Sequence, residues 1–460
     1  MTAVKGDLVS RTPATNPSRS RAPQADTREE PAGLPARRLA WRVVDEVLRS
    51  GRALDETFER EARAAALEAR DEGLARAIAV VTFRRLGTIR RALLDRMPKG
   101  LPKDERALAL FATAAAQILF LDVPDHAAVD VTVRLAQGGR LQHLAGLANA
   151  VLRRLTRERA RILDGADALG VDTPDWLAAR WRAAYGEEAQ AIAEAHRRGG
   201  AIDLSVREDP AGWADRLGAT LLSTGTVRLV ERGSIRDLPG YAEGAWWVQD
   251  AAAALPARLL DARPGERVAD LCAAPGGKTA QLASAGAQVL AVDRSQPRLK
   301  RLSENMARLR LAVETKADDA LALEAEPFDA VLLDAPCSAT GTIRRHPDVP
   351  WVKREEDLAK LADLQSRLLD KAAALTQPGG RLVYCTCSLE PEEGERQAAA
   401  FLDRHPGFRR VPVQTEELPG LPGAITPEGD VRTLPHQGGP GLGAVGLDGF
   451  FISRFRRGNP

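Results

Sequence analysis

Three of the four cysteines in this 460-residue chain stand in two short stretches, "DAPCSATG" (Asp334–Gly341) and "YCTCSLEP" (Tyr384–Pro391). Each stretch follows an apolar run. A thiolate is a strong nucleophile even when only a few per cent ionised, and a nucleophile beside an acid/base helper is the usual arrangement for covalent catalysis. Cys337 follows Pro336, whose ring removes a backbone donor and stiffens the turn. Cys387 lies between Thr386 and Ser388. Two other readings stay open at this point. The three thiols could be small hydrophobes in a core, or Cys385 and Cys387 could be half of a zinc site. Structural zinc prefers wider pairs and four ligands. The six histidines, at 126, 143, 196, 346, 405 and 436, offer no matching pair, so no metal is expected.

A third stretch, "VADLCAAPGGKTAQL" (Val268–Leu282), reads as a strand, a glycine turn and a helix start. Gly276 and Gly277 let a backbone approach a ligand closely and leave N–H groups pointing out of a helix N-terminus. Sixteen residues after Gly277, "VLAVD" ends at Asp293, the place where doubly wound folds grip a nucleotide ribose with a carboxylate. The turn is neither GxGxxG nor a complete phosphate loop, and a capping turn without a ligand is the alternative.

These stretches need a scaffold. The length suggests two or three domains at roughly 100–200 residues each. Residues 1–34 are rich in Ser, Thr, Pro, Arg and Ala without periodicity, which predicts a disordered tail. Residues 35–160 carry a helical period and no strand pattern, so an all-α bundle is expected. Within it "ALALFATAAAQILFL" (Ala107–Leu121) is apolar almost all round and should be its buried central helix. Residues 161–255 read as a helical connector followed by a small α+β domain. From 256 to 460 strands and helices alternate, which predicts a mostly parallel sheet covered on both faces. The two cysteine stretches follow buried strands there. They should therefore meet at the carboxyl edge of the sheet, where such folds bind ligands.

Charge divides the same way. Residues 31–160 hold 23 Lys/Arg against 16 Asp/Glu, and residues 161–460 hold 37 against 43. A basic module joined to an acidic one points to an anionic partner for the first, with nucleic acid the leading candidate. The basic helix end Arg153, Arg154, Arg157 and Arg159 is the candidate RNA contact. Sparse, unpaired cysteines argue for a reducing cytosol. No apolar run approaches the ~20 residues a bilayer requires, and no signal peptide is read at the N-terminus.

Taken in order, "DLCAAPGGKT", "DAPCSATG", "RRHPDVPW" (Arg344–Trp351) and "YCTCSLEPEE" resemble the RNA 5-cytosine methyltransferases of the Sun/RsmB type. The bundle, through "LANAVLRRL" (Leu147–Leu155), resembles a NusB-like RNA-binding domain, and "WWVQD" (Trp246–Asp250) matches the boundary of the small domain. The resemblance implies a Rossmann-like class I methyltransferase that uses S-adenosylmethionine to methylate 16S ribosomal RNA; a cytoplasmic monomer without metal or membrane is expected. It assigns Cys272, Ala273, Ala274, Pro275, Gly276, Gly277 and Lys278 to the cofactor loop, and Asp293 to the ribose hydroxyls. Asp319 faces the adenine, with Asp318 as the alternative, and Asp334 closes the site near the methionine moiety and the target base. Cys387 of "TCS" is the nucleophile and Cys337 of "PC" the second catalytic cysteine; Cys385 falls at a variable position. Free thiols titrate near 8.5, so Cys387 needs a nearby cation, for which Lys278 is the candidate. Rival readings are a transfer RNA or DNA substrate, and an inactive RNA-binding scaffold.

Overall fold

The structure, a computed structural model, describes residues 1–3, 33–230, 233–438 and 446–459. The tail read at 1–34 thus lies outside the described residues except at its two ends. The bundle follows: α1 (Leu34–Ser50), α2 (Leu54–Ala65), α3 (Ala69–Arg84), α4 (Leu86–Leu94), α5 (Glu105–Phe120), α6 (Asp125–Gln137) and α7 (Ala145–Arg157). Asp104 caps α5 by accepting from Arg106 N at 2.9 Å, which satisfies one of the helix's orphan donors. Every residue of α5 from Ala107 to Leu119 is buried, as an all-apolar helix must be. Leu39, Val43, Val44 and Val47 of α1 share one face and join the same core. Each such aliphatic side chain contributes about 1.5–3 kcal/mol on burial.

The connector holds α8 (Arg159–Asp164), α9 (Asp175–Tyr185) and α10 (Glu188–Arg198). Trp181 of α9 packs on His196 of α10 at 5.1 Å between ring centroids. Burial, helped by the nearby Arg344 charge, pushes the His196 pKa down to about 3, so this imidazole is a neutral core residue. The small domain is a four-stranded antiparallel sheet in the order β2-β3-β1-β4. Its strands are β1 (Asp203–Val206), β2 (Thr220–Leu221), β3 (Val227–Arg228) and β4 (Trp246–Val248), with α11 (Pro210–Arg216) after β1.

The third part begins with α12 (Leu255–Leu260), β5 (Arg267–Leu271), α13 (Gly277–Ser284), β6 (Gln288–Asp293), α14 (Gln296–Leu309) and β7 (Glu314–Ala317). It continues through β8 (Phe328–Asp334), α15 (Val349–Val352), α16 (Glu355–Leu375), β9 (Thr376–Thr386), α17 (Glu395–Arg404), β10 (Phe408–Arg410), β11 (Val431–Thr433) and β12 (Phe450–Arg457). The strand order is β10-β12-β9-β8-β5-β6-β7, with β11 also paired to β12. β5 to β9 pair in parallel, and β12 closes the sheet antiparallel to β9. Alternate residues face opposite layers: Ala330, Leu332, Val383 and Cys385 enter one core, Val331, Leu333, Leu382 and Tyr384 the other. Both faces are covered, so these strands read as continuous apolar runs rather than alternating ones. The run "FDAVLLDAP" forms β8, the third buried strand of this part and the fourth strand in chain order. The strand before it, β7, is "ETKA", exposed throughout at the sheet edge, and such a strand carries no apolar signature.

Candidate active site

β8 and β9 run parallel with Asp334 opposite Cys385, so the chain leaves both strands at the same edge. The two departing loops are then stitched together. Gly341 N donates to Cys387 O at 3.0 Å, and Leu389 N donates to Thr340 Oγ1 at 3.0 Å. Gly341 admits no side chain, since a Cβ there would lie 1.9 Å from Gly449 O. The outcome is a Cys337 Sγ to Cys387 Sγ separation of 3.5 Å.

Behind the thiols lies Glu393, which no motif reading singled out. Its carboxylate is fully buried and accepts from Ser338 N at 2.9 Å and from Gln365 Nε2 at 3.0 Å. Gln365 of α16 also donates to Pro336 O at 2.9 Å, and the Tyr384 hydroxyl donates to Glu393 O at 2.7 Å. Residues on either side of Cys337 therefore lean on the Glu393 carboxylate, and the strand end before Cys387 on its main-chain carbonyl. The signal of Glu393 in the sequence was a cluster of glutamates, 390, 392 and 393, of which the side chains of 390 and 393 both reach the Cys337 loop.

The thiols are unlike one another. The hydrogen bond with Cys387, then burial, then the charges of Cys387 and Glu393 push the Cys337 thiol well above its ordinary range, so Cys337 holds its proton. Cys385 is buried too, and its thiol is raised by burial and by Asp334, to whose Oδ1 it donates at 3.5 Å. It props Asp334 rather than joining the pair. Burial, then Asp334, Asp293 and Asp270, push Cys272 up to about 12. Lys278 Nζ lies 2.7 Å from Asp334 Oδ2. Burial works against its charge, but Asp334 and the thiols of Cys385 and Cys387 outweigh it and hold the ammonium charged. The cation read beside Cys387 is thus present but already paired with Asp334. Arg345, gripped by the buried Asp448, is a second cation whose charge is favoured by Cys387.

Cys387, Lys278, Asp334 and Arg345 line one cavity of about 600 Å³ together with Ala273 to Gly277 and His346, whereas Cys272, Asp293, Cys337 and Cys385 are not among its lining residues. Gly276 opens α13 at φ 101°, where a Cβ would lie 2.7 Å from Leu302 Cγ. Asp293 stands behind the loop: Oδ2 accepts from Ala274 N at 3.2 Å and Oδ1 from Ser295 N at 2.9 Å. Asp319 accepts from Leu321 N at 3.0 Å as the cap of a short turn, and Asp318 pairs with Lys316 at 3.0 Å. Both adjoin Asp293, since Asp318 N donates to Asp293 O at 3.3 Å, but the cavity walls do not include them.

Asp270 does line the cavity, and sequence reading passed over it. It is fully buried, its Oδ2 accepts from Thr279 Oγ1 at 2.6 Å, and its Oδ1 has no partner. Burial, opposed by Thr279, raises its pKa to about 7. An orphan carboxylate oxygen in a wall shared with Asp334 suits a cationic ligand, as a sulfonium-bearing methyl donor is, and the open backbone at Gly276 and Gly277 suits its approach.

The "RRHPDVPW" segment ties this cavity to the bundle. Trp351 Nε1 donates to Phe83 O at 2.9 Å, Leu54 N donates to Asp348 Oδ2 at 3.0 Å, and His346 Nδ1 lies 3.2 Å from Asp55 Oδ2. The candidate RNA arginines lie elsewhere: Arg153, Arg154 and Arg157 on the last turns of α7, and Arg159 at the start of α8. Arg153, Arg154 and Arg157 are exposed and Arg159 is half-buried, but Arg154 pairs with Glu158 at 2.7 Å and Arg153 donates to Asn149.

Residues 257–456 match the family model described as 16S rRNA methyltransferase RsmB/F, and residues 34–157 match the NusB family. A ribosomal RNA small subunit methyltransferase B of Yersinia pestis bv. Antiqua (strain Angola) is 34% identical over 441 residues, 91% of this chain and 97% of the relative. Among solved structures, that of PH0851 superimposes with a TM-score of 0.73 at 25% identity, covering 91% of this chain and 98% of its own. A methyltransferase homolog protein from Pyrococcus horikoshii gives 0.53 at 30% identity over 63% of this chain and 96% of its own.

Proposed function

The chain belongs to the RsmB/F family of 16S rRNA methyltransferases, with a NusB-family domain before its catalytic part, and from that premise we propose that it methylates carbon 5 of a cytosine in 16S rRNA through a covalent bond to Cys387. The observation that carries the reading is the 3.5 Å contact between two thiols at the carboxyl edge of the sheet, one of them held protonated. Carbon 5 of cytosine is too weak a nucleophile to take a methyl group unaided. Addition of the Cys387 sulfur to carbon 6 makes the ring an enamine. Ala273 to Lys278, with Asp270, Asp293 and Asp334 around them, would hold S-adenosylmethionine, which would supply the electrophilic methyl group.

Release then needs a proton moved. Cys337 hands its proton to the departing Cys387 sulfur and takes the one lost from carbon 5, so the proton count closes. Glu393 keeps Cys337 at the distance this exchange requires. Lys278 and Arg345 are cations that share the cavity with Cys387. The target base has to leave its stack to enter the cavity.

The test is bisulfite sequencing of unmodified 16S rRNA transcript after incubation with the enzyme and S-adenosylmethionine. One protected cytosine is the expected result. Methylated RNA without a protected cytosine would overturn the carbon 5 chemistry, and protection in transfer RNA alone would move the substrate.

A further inference from the structure

The bundle grips the segment 344–351 at four points. Arg84 Nη2 of α3 donates to Arg344 O at 2.9 Å. Leu54 N, at the start of α2, donates to Asp348 Oδ2 at 3.0 Å, and Phe83 O of α3 accepts from Trp351 Nε1 at 2.9 Å. The fourth point is His346 Nδ1, 3.2 Å from Oδ2 of Asp55. Asp55 is itself steadied. Its Oδ1 accepts from Arg76 Nη1 at 2.9 Å, and it stands in the first turn of α2, where a helix favours an acid. Burial opposes its charge, but the hydrogen bond from His346 and the Arg76 guanidinium outweigh burial and lower the Asp55 pKa. Pro347 and Pro350 stand on either side of Asp348 and stiffen the chain between these points.

Two residues inside this clasp, Arg345 and His346, line the catalytic cavity with Cys387. Arg345 is fixed from the catalytic part, by Asp448. His346 is fixed from the bundle. With Nδ1 on Asp55, Nε2 is the remaining polar atom of the ring, and it has no partner among the described residues. A carboxylate on one ring nitrogen fixes how the other is presented. An ion pair as exposed as this one, at 38% for His346 and 47% for Asp55, adds little to stability. Joining the domains therefore does not account for it, and the contacts of Arg344, Asp348 and Trp351 already do that. We propose that Asp55 of the bundle is a positioning residue for methyl transfer: it holds the His346 imidazole in the wall of the catalytic cavity, with Nε2 turned to the nucleotide that enters beside Cys387. The bundle then takes part in the chemical step. The inference rests on the reading of an RNA base entering this cavity.

The test uses the full chain, an unmodified 16S rRNA transcript and radiolabelled S-adenosylmethionine. Asp55→Ala should lower kcat about 10-fold to 100-fold, the scale of a misplaced group. KM for RNA and the calorimetric affinity for S-adenosylmethionine should stay at their wild-type values. His346→Ala should fall by the same factor and the double variant no further, because residues that act as a unit are not additive. Asp55→Asn keeps an oxygen that accepts from Nδ1–H, so it should restore most of kcat. An Ala variant with wild-type kcat overturns the inference, as do losses that multiply in the double variant. An Asn variant as slow as the Ala variant overturns orientation as the role of Asp55. A rise in KM alone would make the pair an RNA contact, and a fall in S-adenosylmethionine affinity would mean a disturbed fold; either overturns the positioning role. A wild-type protein that transfers no methyl group to the transcript overturns the substrate reading and this inference with it.

Discussion

The thiol pocket and the arginine-lined face of the bundle are built in opposite ways. In the pocket, two rare side chains are held 3.5 Å apart by buried hydrogen bonds that converge on Glu393. On the bundle, common arginines stand around a concave surface, with Arg42, Arg106 and Arg140 exposed and Arg106 paired with Asp45. The first arrangement depends on individual atoms. The second depends on summed charge, which tolerates movement and screens with salt. Removing one atom should therefore abolish the work of the pocket, whereas the arginine face should lose its hold on an anion by degrees.

The largest effect separates the two cysteines. Cys387→Ser replaces the thiol with a hydroxyl hardly ionised at neutral pH, so methylation should fall on the order of 10³-fold or more, the scale of losing a nucleophile. No protein–RNA band should appear on a denaturing gel. Cys337→Ser leaves the attacking sulfur in place and impairs release, so a covalent band should accumulate. A band from Cys387→Ser that vanishes when Cys337 is also changed would reverse the two roles. Cys385→Ser, whose sulfur is turned to Asp334, should stay active and form no band.

A smaller effect is expected at Glu393. Glu393→Gln keeps the shape but removes a buried charge and leaves Ser338 or Gln365 short of an acceptor, a loss of about 1–3 kcal/mol. The fall should appear in kcat, about 10-fold to 100-fold, with KM for RNA little changed. The charge of Glu393 raises the Cys337 pKa, so its removal should shift the pH profile of adduct release to lower pH. A stability loss with an unmoved profile would reduce Glu393 to ordinary packing.

The smallest effect belongs to the α7–α8 junction. Neutralising Arg153, Arg154, Arg157 and Arg159 together should flatten the salt dependence of RNA binding by less than four full phosphate contacts would, because Glu158 already offsets Arg154. An unmoved slope would make these arginines a solvated face only.

Legibility followed the same division. The cysteine stretches, the glycine turn and Asp293 stood out because covalent and nucleotide chemistry would demand particular residue types at strand ends. The buried strands β8 and β9 were legible as apolar runs. β7, β10 and β11 were not, since short edge strands carry little pattern. Glu393 hid among neighbouring glutamates whose orientation the sequence does not encode locally. Asp270 hid inside a strand, where its burial with one unpartnered oxygen is a property of the fold. Arg38, Arg42, Arg106 and Arg140 come from three separate segments of a chain rich in arginine, so no spacing marked them. The α7 arginines were adjacent in sequence, which made them visible.

What the sequence by itself determined is the kind of chemistry. Cys337 and Cys387 carry the nucleophilic atoms, "AAPGGK" carries an open backbone, and helical and strand periods divide the chain into a bundle and a sheet. Only the tertiary structure decided the distances and the partners. Parallel register sets Asp334 opposite Cys385, and the two loops beyond bring the sulfurs to 3.5 Å. The same packing pairs Lys278 with Asp334, turns Cys385 away from the sulfur pair and places Glu393 behind both loops. The physical reason is range. Residue type fixes what an atom can do, whereas hydrogen bonds and thiol contacts act over about 3–4 Å between residues tens of positions apart, and only the packed sheet brings such residues within reach.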